Sequence, residues 1–223
     1  VVDVGVMSDY NCPAIVNRKI AYGTKNFYLE PAMTREQAEQ AICVGLEMAD
    51  KCAEDGVDII GVGEMGIGNT TTSAAVLSVF TGKPASVTAG KGGGLLEDAY
   101  RHKLEVIDGA IEKHKPNPND PIDVLAKVGG LDICAMAGVF LGAAEHKIPV
   151  VIDGFISVVA ALSAARICPA AKDYFIASHA SFEPGYLLAV NELGLEAPLL
   201  LKMRLGEGSG CPVMFRVLDA AYA

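Results

Sequence analysis

Apolar residues recur at helical spacing after Thr34, which predicts an amphipathic helix. Thr34 and Gln37 have the spacing of a capping box at the helix start, and Gly56 provides a stop. The β-branched run at 57–62 then predicts a short buried strand. The small or apolar positions of the helix are Ala38, Ala41, Ile42, Gly45, Met48, Ala49 and Cys52.

The same alternation of helix and strand patterns continues along the chain. It predicts strands at 148–153 and 174–177, a strand before Thr88, a loop at 116–121, and helices at 71–80, 96–115, 132–144, 156–167, 184–193 and 211–223. Such alternation favours a mainly parallel sheet with helices on both faces, a Rossmann-like three-layer α/β fold. We expect residues 1–223 to form one domain. Ligands of such sheets bind beyond the carboxyl ends of the strands, where the loop after Val62 and the turn at Asp153 fall.

Composition excludes several classes of protein. Hydrophobic residues make up 51% of the chain, so a sizeable core is expected, and the net charge of −9 argues against a nucleic-acid partner. No apolar run approaches the ~18 residues of a membrane span. The six cysteines are scattered without a C-x-x-C pair, which indicates reduced thiols in a cytoplasmic protein and gives no reason to expect a metal or cofactor. The chain begins at Val1 without a starting Met or signal-peptide pattern, which indicates a fragment or a processed chain.

The glycine-rich stretch after the first predicted strand has three phosphate-binding interpretations. Its GVGEMG sequence (61–66) satisfies G-x-G-x-x-G, but no acidic ribose partner follows about 20 residues later, and no Gly-Lys-[Ser/Thr] completes a Walker motif. In the third interpretation, Gly66 and Gly68 turn the chain so that the amides of Gly68, Asn69 and Thr70 face a phosphate at the start of a helix. The structural alternative is a strand-to-helix turn capped by Asn69.

Two further glycine-rich stretches carry charged candidates. In the first, 88–94, exposed glycines precede Lys103 on the next helix, a surface suited to phosphate; its alternative is a flexible loop beside a solvated lysine. In the second, RLGEGSG (204–210), Glu207 lies between two glycines, open to close approach by a partner, or else serves only to cap the helix expected near Ser209. Glu64 adds a second carboxylate at this edge of the sheet, which suggests that a proton or a cation is handled there.

Five stretches together carry a specific resemblance over nearly the whole chain. They are GTKNFYLEPAMT (23–34), GEMGIGNTT (63–71), KVGGLDICAMAGVFLGAA (127–144), VIDGFIS (151–157) and RLGEGSG (204–210). In this combination and order the sequence resembles the nicotinate-nucleotide:dimethylbenzimidazole phosphoribosyltransferase family, which makes the lower-ligand nucleotide of cobalamin.

The resemblance implies a reaction and a set of site residues. Nicotinate mononucleotide would donate its phosphoribosyl group to 5,6-dimethylbenzimidazole or a related base, giving α-ribazole 5′-phosphate and nicotinate. Glu207 would be the general base, and Glu64 would lie near the ribose. The 5′-phosphate would contact Gly66, Ile67, Gly68, Asn69, Thr70 and Lys103. The pocket would be lined by Gly92, Ser181, Arg204 and Leu205. Asp153 would stand at the adjacent strand end, either in the pocket lining or in a purely structural role.

The resemblance also implies further segments outside this domain. Full members of the family carry a longer N-terminal segment that forms a small helical domain with C-terminal helices and completes the base pocket and a homodimer interface. Two alternative functions remain. The main one is a domain that binds the nucleotide without turnover, and the other is a nicotinamide-dependent dehydrogenase, which rests on G-x-G-x-x-G alone. His179, which follows a predicted strand, is one more candidate for ligand contact.

Overall fold

The computed structural model describes residues 1–9, 11–92 and 94–223. A small two-stranded parallel sheet near the N-terminus pairs β1 (Val2–Asp3) with β2 (Val16–Asn17), two strands that the hydrophobic pattern did not indicate. The first long helix, α1 (Arg35–Glu54), begins and ends where its local signals predict. Thr34 and Gln37 form a complete capping box, and Gly56 adopts a left-handed φ of +70° just beyond the end.

Three short parallel strands form the central sheet: β3 (Ile60–Val62), β4 (Val150–Ile152) and β5 (Phe175–Ala177). Their order is β3-β4-β5, with Val62 opposite Ile152 and Ile152 opposite Ala177. The predicted strands are therefore confirmed in place and direction, although each is shorter than predicted. A bridge between His179 and Leu199 extends the parallel pairing beyond β5.

Helices surround this sheet. Between β3 and β4 lie α2 (Asn69–Thr81), α3 (Ala85–Thr88), α4 (Glu97–His114), α5 (Pro121–Val128) and α6 (Leu131–Glu145). After β4 come α7 (Phe155–Ile167), a 3₁₀ helix (Pro169–Tyr174), α8 (Pro184–Glu192) and α9 (Gly210–Tyr222). No helix within the described residues is long and apolar enough to cross a membrane.

The two faces of the sheet pack against different helices. Ile60, Val62 and Ile152 belong to the main core with α6 and α7, whereas Val151 packs with Cys211 and Met214 of α9. Alternate strand residues point to opposite faces, so both faces are covered and the predicted three-layer α/β architecture is confirmed.

Two local predictions were wrong. The segment before Thr88 is the helix α3 instead of a strand, and it starts directly after Pro84, whose fixed φ suits the start of a helix. The loop predicted at 116–121 ends one residue early, because Asp120 caps α5 and Pro121 is its first residue.

Candidate active site

The loop after β3 leads into α2 without a side-chain cap. Gly68 is the N-cap residue and has a left-handed φ of +81°. The Asn69 N–H donates to the Gly66 carbonyl at 3.1 Å, and the Thr71 N–H donates to the Gly68 carbonyl at 2.9 Å. The N–H groups of Gly68 and Thr70 have no hydrogen-bond acceptor among the residues that the structure describes. Of the three predicted amide donors, those of Gly68 and Thr70 are therefore available to an anion at the positive end of this 13-residue helix. The prediction was wrong for Asn69, whose amide is bonded within the turn.

The side chain of Asn69 bridges two carboxylates. Its Nδ2 donates to Oε2 of Glu64 and, at 2.8 Å, to Oδ2 of Asp132 in the first turn of α6. Asn69 therefore does not cap α2, and the capping alternative is wrong. Both hydrogens of its amide point at carboxylates, so the Asn69 side chain fixes the orientation of Glu64. Sequence reasoning missed Asp132, because it lies 63 residues from Asn69.

The stretch around 88–94 meets the start of α2 through Lys103. This lysine is only 7% exposed, so the alternative of a solvated lysine is wrong. Its Nζ donates to Oγ1 of Thr70 at 3.1 Å and to the Gly90 carbonyl at 3.0 Å. A Cβ on Gly92 would lie 3.1 Å from the same Thr70 oxygen. Gly93, part of this predicted cluster, lies outside the described residues.

Burial affects the charge of Lys103. It lowers the pKa of the ammonium group, and the nearby Glu183 carboxylate opposes that shift. Oε2 of Glu183 is buried and has no hydrogen-bond partner among the residues described. A bound anion would favour the charged lysine in the same way as a neighbouring carboxylate does.

The loop that carries Glu207 has an unusual backbone. Gly206, Glu207 and Gly208 are all left-handed, with φ of 78°, 58° and 76°. Glycine adopts this conformation freely, whereas Glu207 incurs a cost of about 1–2 kcal/mol. Left-handed residues other than glycine are concentrated at functional sites. The Glu207 side chain is exposed.

The Glu207 loop packs directly against the loop after β3. A Cβ on Gly63 would overlap the backbone nitrogen of Gly208, and a Cβ on Gly206 would lie 3.1 Å from Oε1 of Glu64. Only glycine at 63 permits this approach. Two stretches more than 140 residues apart in sequence are thus brought together, as expected of loops at the carboxyl edge of one parallel sheet.

Asp153 lies beneath this contact and not on the surface of a pocket. It is 1% exposed, and its Oδ2 accepts the Gly208 N–H at 3.0 Å while Oδ1 accepts the Gly210 N–H at 2.7 Å. Both carboxylate oxygens are therefore engaged by the Glu207 loop. Burial and these two bonds direct the Asp153 carboxylate into the protein, which favours the structural one of its two predicted roles.

His179 is likewise buried, against the start of α9. It is 2% exposed, its Nδ1 lies 3.2 Å from Oγ of Ser178 and 3.9 Å from Oδ1 of Asp153, and burial lowers its pKa. A Cβ on Gly210 would overlap the His179 ring. The position of His179 therefore does not support its candidacy for ligand contact.

Glu64 has a strongly perturbed carboxyl group. Burial raises its pKa to about 7, and the negative charges of Asp132, Asp153 and Glu207 act in the same direction, while the hydrogen bond from Asn69 opposes the shift. A carboxyl group with a pKa near 7 exists in both protonation states at neutral pH. It is therefore suited to accept or donate a hydrogen bond there.

The remaining predicted pocket residues occupy the surrounding edge. Oγ of Ser181 lies 3.8 Å from the position of a Cβ on Gly154, just beyond β4. The Arg204 guanidinium lies 3.8 Å from the ring centroid of Phe182, a partner that sequence reasoning missed. Leu205 is 70% exposed and Ile67 fully exposed. No group of acidic, His and Cys side chains arranged to hold a metal ion occurs in the part of the chain that the structure describes.

Comparison with known proteins finds one family over the whole chain. A family model described as "Phosphoribosyltransferase" matches residues 1–223. The chain is 55% identical to the nicotinate-nucleotide–dimethylbenzimidazole phosphoribosyltransferase of Clostridium perfringens and 53% identical to that of Ruminiclostridium cellulolyticum. Each match covers 100% of this chain, and 62% and 63% of those proteins, so the chain spans less than two thirds of their length.

A solved structure agrees in fold. The crystal structure of CobT from Thermus thermophilus superposes with a TM-score of 0.94 at 37% sequence identity. The match covers 99% of this chain and 66% of the other.

Proposed function

Because this chain belongs to the family of nicotinate-nucleotide–dimethylbenzimidazole phosphoribosyltransferases, we propose that it carries the donor site and the general base of that reaction. The reaction moves the phosphoribosyl group of nicotinate mononucleotide to 5,6-dimethylbenzimidazole or a related base. Its products are α-ribazole 5′-phosphate and nicotinate. The relatives are longer than this chain, and the proposal covers the activity of the whole protein.

The 5′-phosphate of the donor binds at the start of α2. The N–H groups of Gly68 and Thr70, which have no acceptor in the part of the chain that the structure describes, supply donors. The buried Lys103 supplies positive charge 3.1 Å from the Thr70 hydroxyl. Backbone donors at a helix start are a common phosphate site. Gly66 and Ile67 complete the turn, and Gly92 lets the neighbouring loop approach. Asn69 contributes by orienting Glu64, because its backbone N–H is bonded to the Gly66 carbonyl and its side-chain amide already faces two carboxylates.

The chemical step is a displacement at the anomeric carbon with inversion. The lone-pair nitrogen of the benzimidazole forms a bond to C1′ as the bond from C1′ to the nicotinate nitrogen breaks. The electron pair of that bond neutralises the departing pyridinium ring, so no acid is needed. Positive charge meanwhile grows on the attacking ring, its N–H becomes acidic, and Glu207 accepts the proton. General-base help of this kind contributes roughly 10²–10⁴-fold.

Glu64 assists near the ribose. Its carboxyl group, held by the Asn69 amide, accepts hydrogen bonds from sugar hydroxyls and, when ionised, stabilises positive charge that develops at C1′. Ile67 lies in the loop after β3 and Leu205 in the Glu207 loop. Both side chains are exposed and provide apolar contact for a flat acceptor base. Ser181 and Arg204 border the same edge.

The observation that carries this proposal is the packing of the Glu207 loop on the loop after β3. It sets Glu207 beside the loop that leads into the open start of α2, which suits the donor phosphate. The test is to incubate the native protein with nicotinate mononucleotide and 5,6-dimethylbenzimidazole, and to follow α-ribazole 5′-phosphate by chromatography and mass spectrometry. Calorimetry with the donor alone runs in parallel.

Product formation supports the transferase. Donor binding without product from any of several acceptor bases would leave a nucleotide-binding domain without turnover, and neither binding nor product would reject both. We also propose that residues 1–223 are the large domain of a homodimeric cytoplasmic enzyme without a nucleic-acid partner. Size-exclusion chromatography with light scattering on the native protein tests the dimer, and cell fractionation tests the location.

A further inference from the structure

The loop that carries Glu207 has no helix or strand of its own to fix its shape. Three successive left-handed residues, 206–208, form a turn that costs energy at Glu207. Inside the loop, the Ser209 N–H donates to the Gly206 carbonyl at 3.0 Å, and the Cys211 N–H donates to the Gly208 carbonyl at 3.0 Å. These two bonds curve the loop but do not tie it to the sheet.

Asp153 supplies that tie. It follows β4, the central strand, and its two carboxylate oxygens accept the N–H groups of Gly208 and Gly210, on the C-terminal side of Glu207. Its own backbone N–H donates to Oγ of Ser157 at 3.1 Å, a bond that does not involve the carboxylate. Hydrogen bonds between a carboxylate and amides are short and roughly twice as strong as neutral ones. The negative charge also faces the positive end of α9, where Gly210 is the first residue.

The neighbours of Asp153 leave little room for another arrangement. His179 lies 3.9 Å from its Oδ1, and both side chains are almost completely buried. A Cβ on Gly210 would meet both His179 and Asp153, so the helix start is pressed against the carboxylate. The loop position is therefore set by a rigid strand end and not by solvent-exposed contacts.

We infer that Asp153 is a positioning residue for Glu207: it holds the left-handed loop so that the Glu207 carboxylate stays beside the ribose site. The inference rests on the proposed function, because it assumes that Glu207 accepts a proton. It assigns no substrate contact to Asp153. A misplacement of a catalytic group by about 1 Å can cost on the order of 100-fold in rate.

The test begins with Asp153→Asn in the native protein. Asparagine has the same shape but offers one amide NH₂ where a backbone N–H needs an acceptor, so one of the two bonds is lost. We expect kcat to fall about 10- to 100-fold, while the KM for nicotinate mononucleotide changes less than threefold. The control is Ser157→Ala, which removes the neighbouring bond to the Asp153 backbone and leaves the carboxylate in place. It should keep kcat within about twofold.

A double-mutant cycle separates positioning from a general structural effect. If Asp153 acts through Glu207, Asp153→Asn should cost less than about threefold in kcat when Glu207→Gln is already present. An equal loss in both backgrounds would overturn the inference, as would a wild-type kcat in a folded Asp153→Asn protein. A rise in KM with unchanged kcat would also overturn it.

A readout without turnover keeps this result distinct from a failure of the proposed function. Hydrogen exchange of the Gly208 and Gly210 amides, measured by NMR, should accelerate at least tenfold in Asp153→Asn and stay unchanged in Ser157→Ala. Unchanged exchange in Asp153→Asn would reject the tie even in an active enzyme. Accelerated exchange in a protein that makes no product would reject the proposed function and, with it, the positioning role, while the tie itself would stand.

Discussion

The two glycine-rich loops of the site use the starts of two 13-residue helices in opposite ways. At α2 the N–H groups of Gly68 and Thr70 have no acceptor within the described parts of the chain, and no side chain caps the helix. At α9 the N–H groups of Ser209 and Cys211 donate to carbonyls of the loop itself, and those of Gly208 and Gly210 donate to Asp153. The loop instead exposes the side chain of Glu207. One helix start offers its backbone to an anion, while the other is neutralised internally so that its loop can present a carboxylate.

Under the proposed function, this difference lets one edge of the sheet serve both an anion and a base. An anion bound at α2 is stabilised by the helix dipole and by Lys103. At α9 the Asp153 carboxylate already occupies the helix start, so the Glu207 loop presents a side chain there and not an anion site. Changes to each loop should therefore affect different kinetic constants.

The largest effect is expected from the base. Glu207→Gln should lower kcat by about 10²–10⁴-fold, because glutamine cannot accept the proton, while calorimetric affinity for nicotinate mononucleotide stays within about threefold. Steady-state assays with 5,6-dimethylbenzimidazole measure the first quantity. Turnover within a few-fold of wild type would show that Glu64 or water is the base.

The next effect concerns the phosphate charge. Lys103→Met should raise the KM for nicotinate mononucleotide about 10- to 100-fold, because a charge-assisted hydrogen bond worth about 1.5–3 kcal/mol is lost. The KM for the acceptor base should change much less. Lys91→Met is the matched control, since this lysine lies on the neighbouring loop but is half exposed and paired with Glu97. Equal effects of the two substitutions would remove Lys103 from the donor site.

A matched pair of glycines at the two ends of α2 separates strain from binding. Gly68 and Gly82 have φ of 81° and 65°, and a Cβ on either would meet nothing within 4 Å. Alanine at either position should lower the free energy of unfolding by about 1–2 kcal/mol, measured by urea denaturation. Only Gly68→Ala should also raise the donor KM, by a few-fold. If Gly82→Ala raised it equally, the effect would be general.

The last prediction concerns the pH dependence of stability through Glu64. Its folded-state pKa is raised from 4.5 to about 7, so the folded protein binds this proton more strongly than the unfolded chain. The free energy of unfolding contributed by this group should therefore fall as pH rises from about 4.5 to 7. Glu64→Gln should flatten that part of the profile. An unchanged slope in denaturation experiments would show that the carboxyl group titrates normally.

Local sequence signals predicted most of the fold. The capping box at Thr34 and the glycine stop at Gly56 gave both ends of α1, and the β-branched runs located the central strands. Strand lengths were overestimated because they depend on the pairing partner, which the local pattern does not contain. The four-residue helix α3 was missed because so short a segment has no measurable periodicity.

The site was predictable only in part, because its contacts join residues that are far apart in the sequence. Each glycine-rich loop was recognisable from its own residues. The contacts between them were not, since Asp153 reaches amides 55 and 57 residues away and Asn69 reaches Asp132 across 63 residues. The buried position of His179 also depends on these distant contacts.

The most direct test of the central claim is a crystal structure of the native protein with nicotinate mononucleotide bound. We expect phosphate oxygens within hydrogen-bond distance of the Gly68 and Thr70 N–H groups, and the anomeric carbon facing the Glu207 carboxylate. A nucleotide bound with its phosphate away from the start of α2, or with its ribose on the far side of the sheet from Glu207, would contradict the account.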